Sequence, residues 1–456
     1  MMKVRFWALV GLLTFANGPA RAADFSGLGF LPGDTQTSSA GGVSADGSVV
    51  VGTSYTGGYR WTVGGGMTPV DGLSDAVDVS ADGQSVLGHA NSAARTPVTW
   101  TPSGVTTLAP LWGPTEIGAA RANAISADGK VVAGRALHAI PEVFFPAYWP
   151  HPTTGIKLSY EGKFTNGDAL DLSADGSVMV GEITVETPER SYLTAFRWTE
   201  SEGIVPLSAG GGFSSSIHAS AVSEDGKVIV GTMTNDIGLT QAYRWTQETG
   251  AVPLPDLPGG GGKLSASAVS GEGSTIVGTG LSESGTESFI WTSQAGTRSL
   301  VDVLKGDYNL GAALQGWSLL YDFDISADGS TVIGTGKNPQ GQTEAWRATL
   351  VGEWPPGDAN FDGRVSLDDF GILKANFGLG IGENGVAYRA QGNFDGDRDV
   401  DLSDFGLLKG WFGGGAGVLP VPEPASGLLA VLAAVGGAVL CWRRPQDCGT
   451  KGEDVF

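Results

Sequence analysis

The chain has 456 residues, with 27 Lys and Arg against 48 Asp and Glu and a formal net charge of −21 at pH 7. So acidic a surface repels nucleic acid and anionic lipid, which argues against both as partners, and it suits a hard cation. Seventy-three glycines and a charged fraction of only 16% point to turn-rich β structure rather than long helices.

At the N-terminus, Lys3 and Arg5 precede an apolar run from Phe6 to Phe15, and a small-residue site follows at Ala20, Arg21 and Ala22. This is the layout of a secretory signal peptide over residues 1–22, cut before Ala23, and it predicts an exported chain. Cys441 and Cys448 both lie near the C-terminus, so no disulfide is expected to staple the exported part.

Residues 23–352 repeat one unit seven times, each marked by a Ser, an Asp-Gly turn and an apolar run ending in Gly. The copies are SADGSVVVG from Ser44, SADGQSVLG from Ser80, SADGKVVAG from Ser126, SADGSVMVG from Ser173, SEDGKVIVG from Ser223, SGEGSTIVG from Ser270 and SADGSTVIG from Ser326. Gly accepts positive φ and Val and Ile suit a pleated strand, so each copy predicts a hairpin. A short aromatic strand follows, as YRW at Tyr59 or AYW at Ala147, and after six of these comes another apolar strand, as in GVTTLAPL from Gly104. With the strand before the turn, each unit holds four strands, and 36 to 56 residues separate successive copies, which is the pattern of a propeller blade.

The seventh copy ends at Leu350 without its fourth strand, while SGLGFLPG from Ser26 resembles the PLPDLPG that closes an internal unit. The expected fold class is therefore mainly β: a seven-bladed β-propeller closed by the N-terminal strand, which leaves no open sheet edge. An open β solenoid is the alternative, and its end units would need caps. The SADG turns, the aromatic strands and the ending GTGKNPQGQTEAWRATL resemble the HAF family of bacterial extracellular repeats over most of residues 26–350. That resemblance implies export and no known reaction.

Catalytic signatures are sparse. The repeated Asp of SADG reads as a device that caps the backbone of a tight turn, with a metal ligand as the alternative. His89, His138, His151 and His218 show no close metal spacing and read as scattered loop and surface residues. No Ser sits in GxSxG, and GGGGKL at Gly259 lacks the hydroxyl residue of a phosphate-binding loop. In the insertion RALHAIPEVFFPAYWPHP, Tyr148 and Trp149 fall on the usual aromatic strand and read as core, leaving Phe144 and Phe145 as candidate contacts for sugar rings.

Residues 353–416 carry the strongest signal, two copies of a loop with oxygen side chains at positions 1, 3, 5 and 12, the spacing that wraps Ca2+. Loop one offers Asp358, Asn360, Asp362, the carbonyl of Arg364 and Asp369. Loop two offers Asn393, Asp395, Asp397, the carbonyl of Asp399 and Asp404, so two ions are expected. A helix should follow each loop, with Phe370, Leu373 and Phe377 on one stripe and Phe405, Leu408 and Phe412 on the other. Gly363 occupies the sharp turn at position 6, where loop two has Arg398; a left-handed Arg398 and a neutral Asn393 predict the weaker site there. Both loops and the LKANFG ending resemble a type I dockerin over residues 357–413. That resemblance implies a small helical module, calcium-dependent docking to a cohesin-like partner and association with polysaccharide-degrading complexes.

A linker over residues 417–426 leads to an apolar run from Gly427 to Trp442, followed by Arg443 and Arg444 and a tail over residues 445–456. The run is expected to form a transmembrane helix with snorkelling arginines, a membrane anchor at least before processing. Pro422, Glu423 and Pro424, then the apolar run, then Arg443 and Arg444 resemble the PEP-CTERM sorting signal. It implies recognition by an exosortase and release to the cell envelope or outside; a plain C-terminal anchor is the alternative.

Two functions follow. The first is an exported, non-catalytic propeller that binds or scaffolds, possessing a calcium-dependent docking module. The second is a secreted carbohydrate-active enzyme, a glycoside hydrolase or lyase on a propeller, and an asymmetric carboxylate cluster in one mouth of the ring would favour it.

Overall fold

The computed structural model describes residues 23–413 except 35–36, 92–95, 112–119, 140–141, 160–165, 189, 209–215, 236, 352–353 and 381–385. The signal peptide, the sorting motif and the apolar run from Gly427 lie outside the described residues. Among the described residues, no helix is long and apolar enough to cross a membrane.

Each sequence repeat becomes an antiparallel sheet. In the first unit Ser38–Val43, Val49–Ser54, Gly57–Thr62 and Gly66–Pro69 pair in chain order. The same order recurs in the strands beginning at Leu73, Arg121, Gly167, Ser216 and Leu264, and one parallel pair, Thr194 with Ile217, joins the fourth and fifth units into an eight-stranded sheet. In the seventh unit Ser318–Ile325, Thr331–Lys337 and Thr343–Thr349 are followed by Asp24–Gly27 from the other end of the chain, Gly27 lying opposite Trp346 and Asp24 opposite Thr349. The completing strand thus falls two residues earlier than expected, and Leu28 and Leu31 beyond it pack against Ile333 and Ala345.

The SADG word builds a turn in which the Ser hydroxyl and the Asp carboxylate cap the backbone. Ser44 Oγ donates to Asp46 Oδ1 (3.0 Å) and accepts from Val49 N–H (2.9 Å), while Asp46 Oδ1 also accepts from Ser48 N–H (2.9 Å). Gly47 sits at φ +66°, a conformation that a Cβ would strain. The Asp is thus the backbone cap the sequence suggested.

The turn's second residue faces the next unit. Ala45 N–H donates to the carbonyl of Ala81, Ala81 to Ala127, Ala127 to Ala174, Ala174 to Glu224 and Gly271 to Ala327, at 2.9 to 3.1 Å. Asp328 N–H then donates to Ala45 O at 3.2 Å, linking the seventh unit to the first. Arginines of the aromatic strands add a second tie: Arg60 Nε reaches Gly83 O at 3.1 Å, and Arg347 Nε reaches Gly47 O at the same distance.

Apolar side chains fill the spaces between adjoining sheets. Phe25 packs its ring 5.3 Å from Trp317 and 5.8 Å from Trp346, and Trp149, fully buried, donates Nε1–H to Ala109 O. A short helix, α1 (Leu300–Gly306), was not expected from the β-rich composition; Ser299 caps it and Leu300, Val303 and Leu304 bury one face.

Deleting Phe25 to Gly33 removes buried Phe25, Leu28 and Leu31, each contributing about 1.5–3 kcal/mol. It also bares the edge at Thr343–Thr349. The melting temperature should fall by about 10 °C or more, with self-association visible by light scattering; a monomer with unchanged melting would disprove the closing role of the strand.

Candidate functional site

The two acidic loops sit ahead of α2 (Leu367–Asn376) and α3 (Leu402–Trp411). Asp369, fully buried in the first turn of α2, accepts from Ala359 N–H (2.8 Å) and Asn360 N–H (3.2 Å) with one oxygen and from Ser366 N–H (2.7 Å) with the other. Asp404 does the same in loop two, accepting from Phe394, Asp395 and Asp401 N–H. The two closing carboxylates therefore fold each loop back onto its helix. Asp358 accepts from Gly363 N–H with Oδ2, and Asp362 from Arg364 N–H. In loop two Asn393 accepts from Gly396 N–H and donates to the carbonyls of Asp397 and Ala387, and Asp395 and Asp397 accept from the amides two residues on.

Two oxygens are left over. Asp358 Oδ1 in loop one and Asp399 Oδ1 in loop two are buried with no hydrogen-bond partner among the described residues. In loop two the carboxylates of Asp399, Asp401 and Asp404 converge within 4.8 Å. Burial first, then neighbouring carboxylates, push the Asp395 and Asp399 carboxyls above the usual range; burial raises Asp358 and Asp404, partly offset by backbone N–H donors. An all-oxygen donor set with orphaned buried carboxylate oxygens and mutual repulsion fits Ca2+, which would relieve both. The convergence brings in the Asp399 side chain, where its carbonyl was expected, and Asp401, which was not counted as a ligand.

The backbone corrects the expected asymmetry. Gly363 is left-handed as expected (φ +84°), but Arg398 is not among the non-glycine residues at positive φ. Loop two turns instead at Gly396 (φ +76°), and the strained residue is Phe361 of loop one (φ +60°), at the matching fourth position. Backbone strain therefore does not weaken loop two.

The helical stripes meet largely as expected: Leu373 and Leu408 are buried and the Phe370 and Phe405 rings lie edge-on at 6.1 Å. Phe377 is the exception, at the C-cap and 36% exposed. The module is not a loose appendage. Arg389 donates to the carbonyls of Pro355 and Asp358, its N–H donates to Asp307 Oδ1, and Asp307 Oδ2 takes Arg298 of the sixth unit at 2.8 Å. Gln294 donates to Asp395 O, so loop two itself touches the repeat region.

A second place was not foreseen. At the centre of the ring of turns lies a cavity of about 130 Å³ lined by Ala45, Ala81, Ala127, Ala174, Gly271 and Ala327 together with Asp78, Asp171 and Asp324. Each aspartate bridges two units: Asp78 accepts from Val79 and Ile125 N–H, Asp171 from Leu172 and Val222, and Asp324 from Ile325 and Val43. Burial raises Asp78 to about 6, Asp171 to about 8 and Asp324 to about 7, with the charge of Asp78 adding to the last two. The signal was in the sequence, as DVSADG, DLSADG and DISADG where other units have Gly42, Ala124, Ala221 or Ala268.

Other expectations divide. Trp149 is core, as read, and Tyr148 stacks on Trp198 at 5.0 Å. Phe145 is buried too, because the long hairpin Val132–Ala139 with Glu142–His151 turns it inward, so it is no sugar contact; Phe144 is half-buried beneath Arg135. His89 and His218 are not stray surface residues: His89 is buried with Nδ1 2.9 Å from Asp75, and His218 Nδ1 lies 2.9 Å from Glu182.

The architecture is mainly β with few helices, of the propeller type. Among solved structures it is similar to oligogalacturonate lyase from Vibrio parahaemolyticus (12% identity, 73% of this chain and 98% of that one, TM-score 0.48). It is also similar to the β-propeller domain of the Trilobed protease from Pyrococcus furiosus (10%, 72% and 95%, TM-score 0.45) and to TolB from Acinetobacter baumannii (14%, 65% and 76%, TM-score 0.38). No family model and no curated protein matches the chain.

Two measurements check the sites. Chelation of the full chain should abolish hydrogen-exchange protection across residues 357–413 and leave the strands of the repeat region protected; protection indifferent to chelator would refute the calcium assignment. The central aspartates bind protons in the folded state that they have lost when unfolded, since an unfolded carboxyl titrates near 4. Their contribution to stability is therefore full below about pH 4 and declines as pH rises toward 8. Asp171→Ala, which installs the residue of three other units, should flatten the fall in melting temperature between pH 5 and pH 8; an unchanged slope would show that Asp171 carries no such linkage.

Proposed function

We propose that this is an exported, non-catalytic β-propeller of seven blades closed by the N-terminal strand, which binds carbohydrate at the cell surface or outside. It carries a dockerin-like module holding two Ca2+ ions. The observation that carries the docking half is the pair of buried, partnerless oxygens, Asp358 Oδ1 and Asp399 Oδ1, one in each loop. Asp358, Asn360, Asp362, the Arg364 carbonyl and Asp369 would hold one ion; Asn393, Asp395, Asp397, Asp399 and Asp404 the other. Bound calcium supplies the charge balance that lets both loops stay closed over their helices, which then present a surface to a cohesin-like protein. The seven sequence repeats, the N-terminal strand seated on the seventh unit and the hydrogen bond from Asp328 to Ala45 support the closed seven-fold reading. Export, sorting through Pro422, Glu423, Pro424, Arg443 and Arg444 by an exosortase, and membership of the HAF-type repeats rest on the sequence resemblances.

A second reading, a hydrolase or lyase, is favoured by one observation: Asp168 and Glu182 stand opposite each other in a single unit, an asymmetric carboxylate pair. Asp168 is already held by Asn123 and Arg135, and Glu182 by His218, which is why binding is preferred.

A panel of polysaccharides scored for both binding and cleavage separates the readings. Binding without product is expected, and reducing-end release abolished by Asp168→Asn would establish the enzyme instead. In parallel, a purified type I cohesin module should be retained by the full chain in calcium and released by chelator; retention that ignores chelator would rule out the docking proposal.

A further inference from the structure

One register position recurs in every unit, a residue of the innermost strand opposite a residue of the next. Around the ring the pairs are Ser39 with Thr53, Asp75 with His89, Arg121 with Arg135, Asp168 with Glu182, His218 with Thr232, Ser265 with Thr279 and Tyr321 with Thr335. The belt is therefore hydroxyl-bearing over units six, seven and one and charged over units two to four, with His218 at its border. The pairs reach across units: Arg135 lies 3.3 Å from Asp168, Glu182 2.9 Å from His218, and Thr232 Oγ1 2.8 Å from Ser265 Oγ.

Two of these pairs break a rule of sheet stability, since like charges directly opposite each other repel. The acidic pair is answered by partners in the units on either side. The basic pair is not fully answered. Arg121 is exposed and shares the field of Asp168 without a direct ion pair among the described residues, and Arg135, paired with Asp168 through Nη1, keeps a buried Nε without a hydrogen-bond partner. The Arg135 guanidinium carbon lies 4.3 Å from the centroid of the Phe144 ring, a cation–π contact that holds it in place. In a chain of net charge −21, two arginines facing each other with donors to spare form a local site for an anion. A densely charged ligand would meet the acidic remainder of the surface, whereas a ligand with one carboxylate among many hydroxyls matches both halves of the belt.

We infer that Arg121 and Arg135 form a carboxylate fork for a glycan carrying an isolated uronic acid among neutral sugars, at the mouth of the third and fourth units. Phe144 braces the fork, and the Ser and Thr pairs farther round meet sugar hydroxyls. This rests on the carbohydrate-binding reading above and names the class of sugar.

The test compares a xylo-oligosaccharide bearing one glucuronic acid with the same oligosaccharide lacking it, by calorimetry on the full chain. The acid-bearing probe should bind about tenfold tighter, the scale of one charge-assisted contact. Arg121→Ser, which installs the residue of units one and six, should erase that preference while the melting temperature stays unchanged, and Arg121→Lys should restore only part of it. Equal affinity for the two probes would overturn the carboxylate fork and leave carbohydrate binding standing. Binding of neither would overturn both. A preference that survives Arg121→Ser would place the acid elsewhere and overturn the assignment.

Discussion

Much of what joins one sheet to the next rests on one backbone donor, the N–H of the residue after Ser, which reaches the neighbouring unit from Ala45, Ala81, Ala127, Ala174 and Gly271, while Asp328 serves in the seventh turn. In the first turn Ser44 Oγ takes the Val49 amide, Asp46 the Ser48 amide and the Ser44 carbonyl the Gly47 amide, which leaves Ala45 N–H free to reach the carbonyl of the neighbouring unit. A backbone hydrogen bond contributes about 0.5–1.5 kcal/mol net, so no single link is decisive. Their repetition in a ring is. Because the residues meet near an axis, they are small in most units, and the Ser that frames them is buried almost completely in every one. The bridging aspartates add a second set of ties between units, and in the first unit they leave little room: a Cβ at Gly42 would lie 2.7 Å from Asp78 Oδ1.

How much of this is legible in the sequence depends on whether the cause is local. The hairpins are, since Asp-Gly turns and β-branched runs act within ten residues, and so are the loop–helix pairs, whose ligand spacing and hydrophobic stripes are intrinsic to each copy. The missing fourth strand of the seventh unit is legible by counting. What escapes is set by neighbours distant in sequence. Asp78, Asp171 and Asp324 look like ordinary strand residues until three units bring them to one cavity, and α1 hides its capped, apolar stripe in a chain whose composition argues for strands. Arg398 was misplaced for the opposite reason: position 6 of a calcium loop normally needs glycine, but here Gly396 two residues earlier takes the bend.

Arg389 changes how the two halves of the chain relate. Its guanidinium satisfies carbonyls at the entrance to loop one, its amide reaches Asp307, and Asp307 in turn holds Arg298 at the edge of the sixth sheet. Tyr388 beside it packs into the apolar cluster around α1. These contacts tie the acidic loops to the sixth sheet. An interface of this kind restrains the relative motion that a flexible linker would otherwise permit.

The seating of Asp24–Gly27 on Trp346 to Thr349 also sets an order in time. Gly29 N–H bonds Glu344 across a separation of 315 residues, and Ala345 N–H bonds Ser38 across 307. Contacts that distant form late, because the loop-closure entropy must be met before they reward it. The first strand to leave the ribosome is therefore the last to find its place. Until it arrives, Thr343–Thr349 keeps an unpaired edge, so the seventh sheet is finished only when both ends of the chain are present.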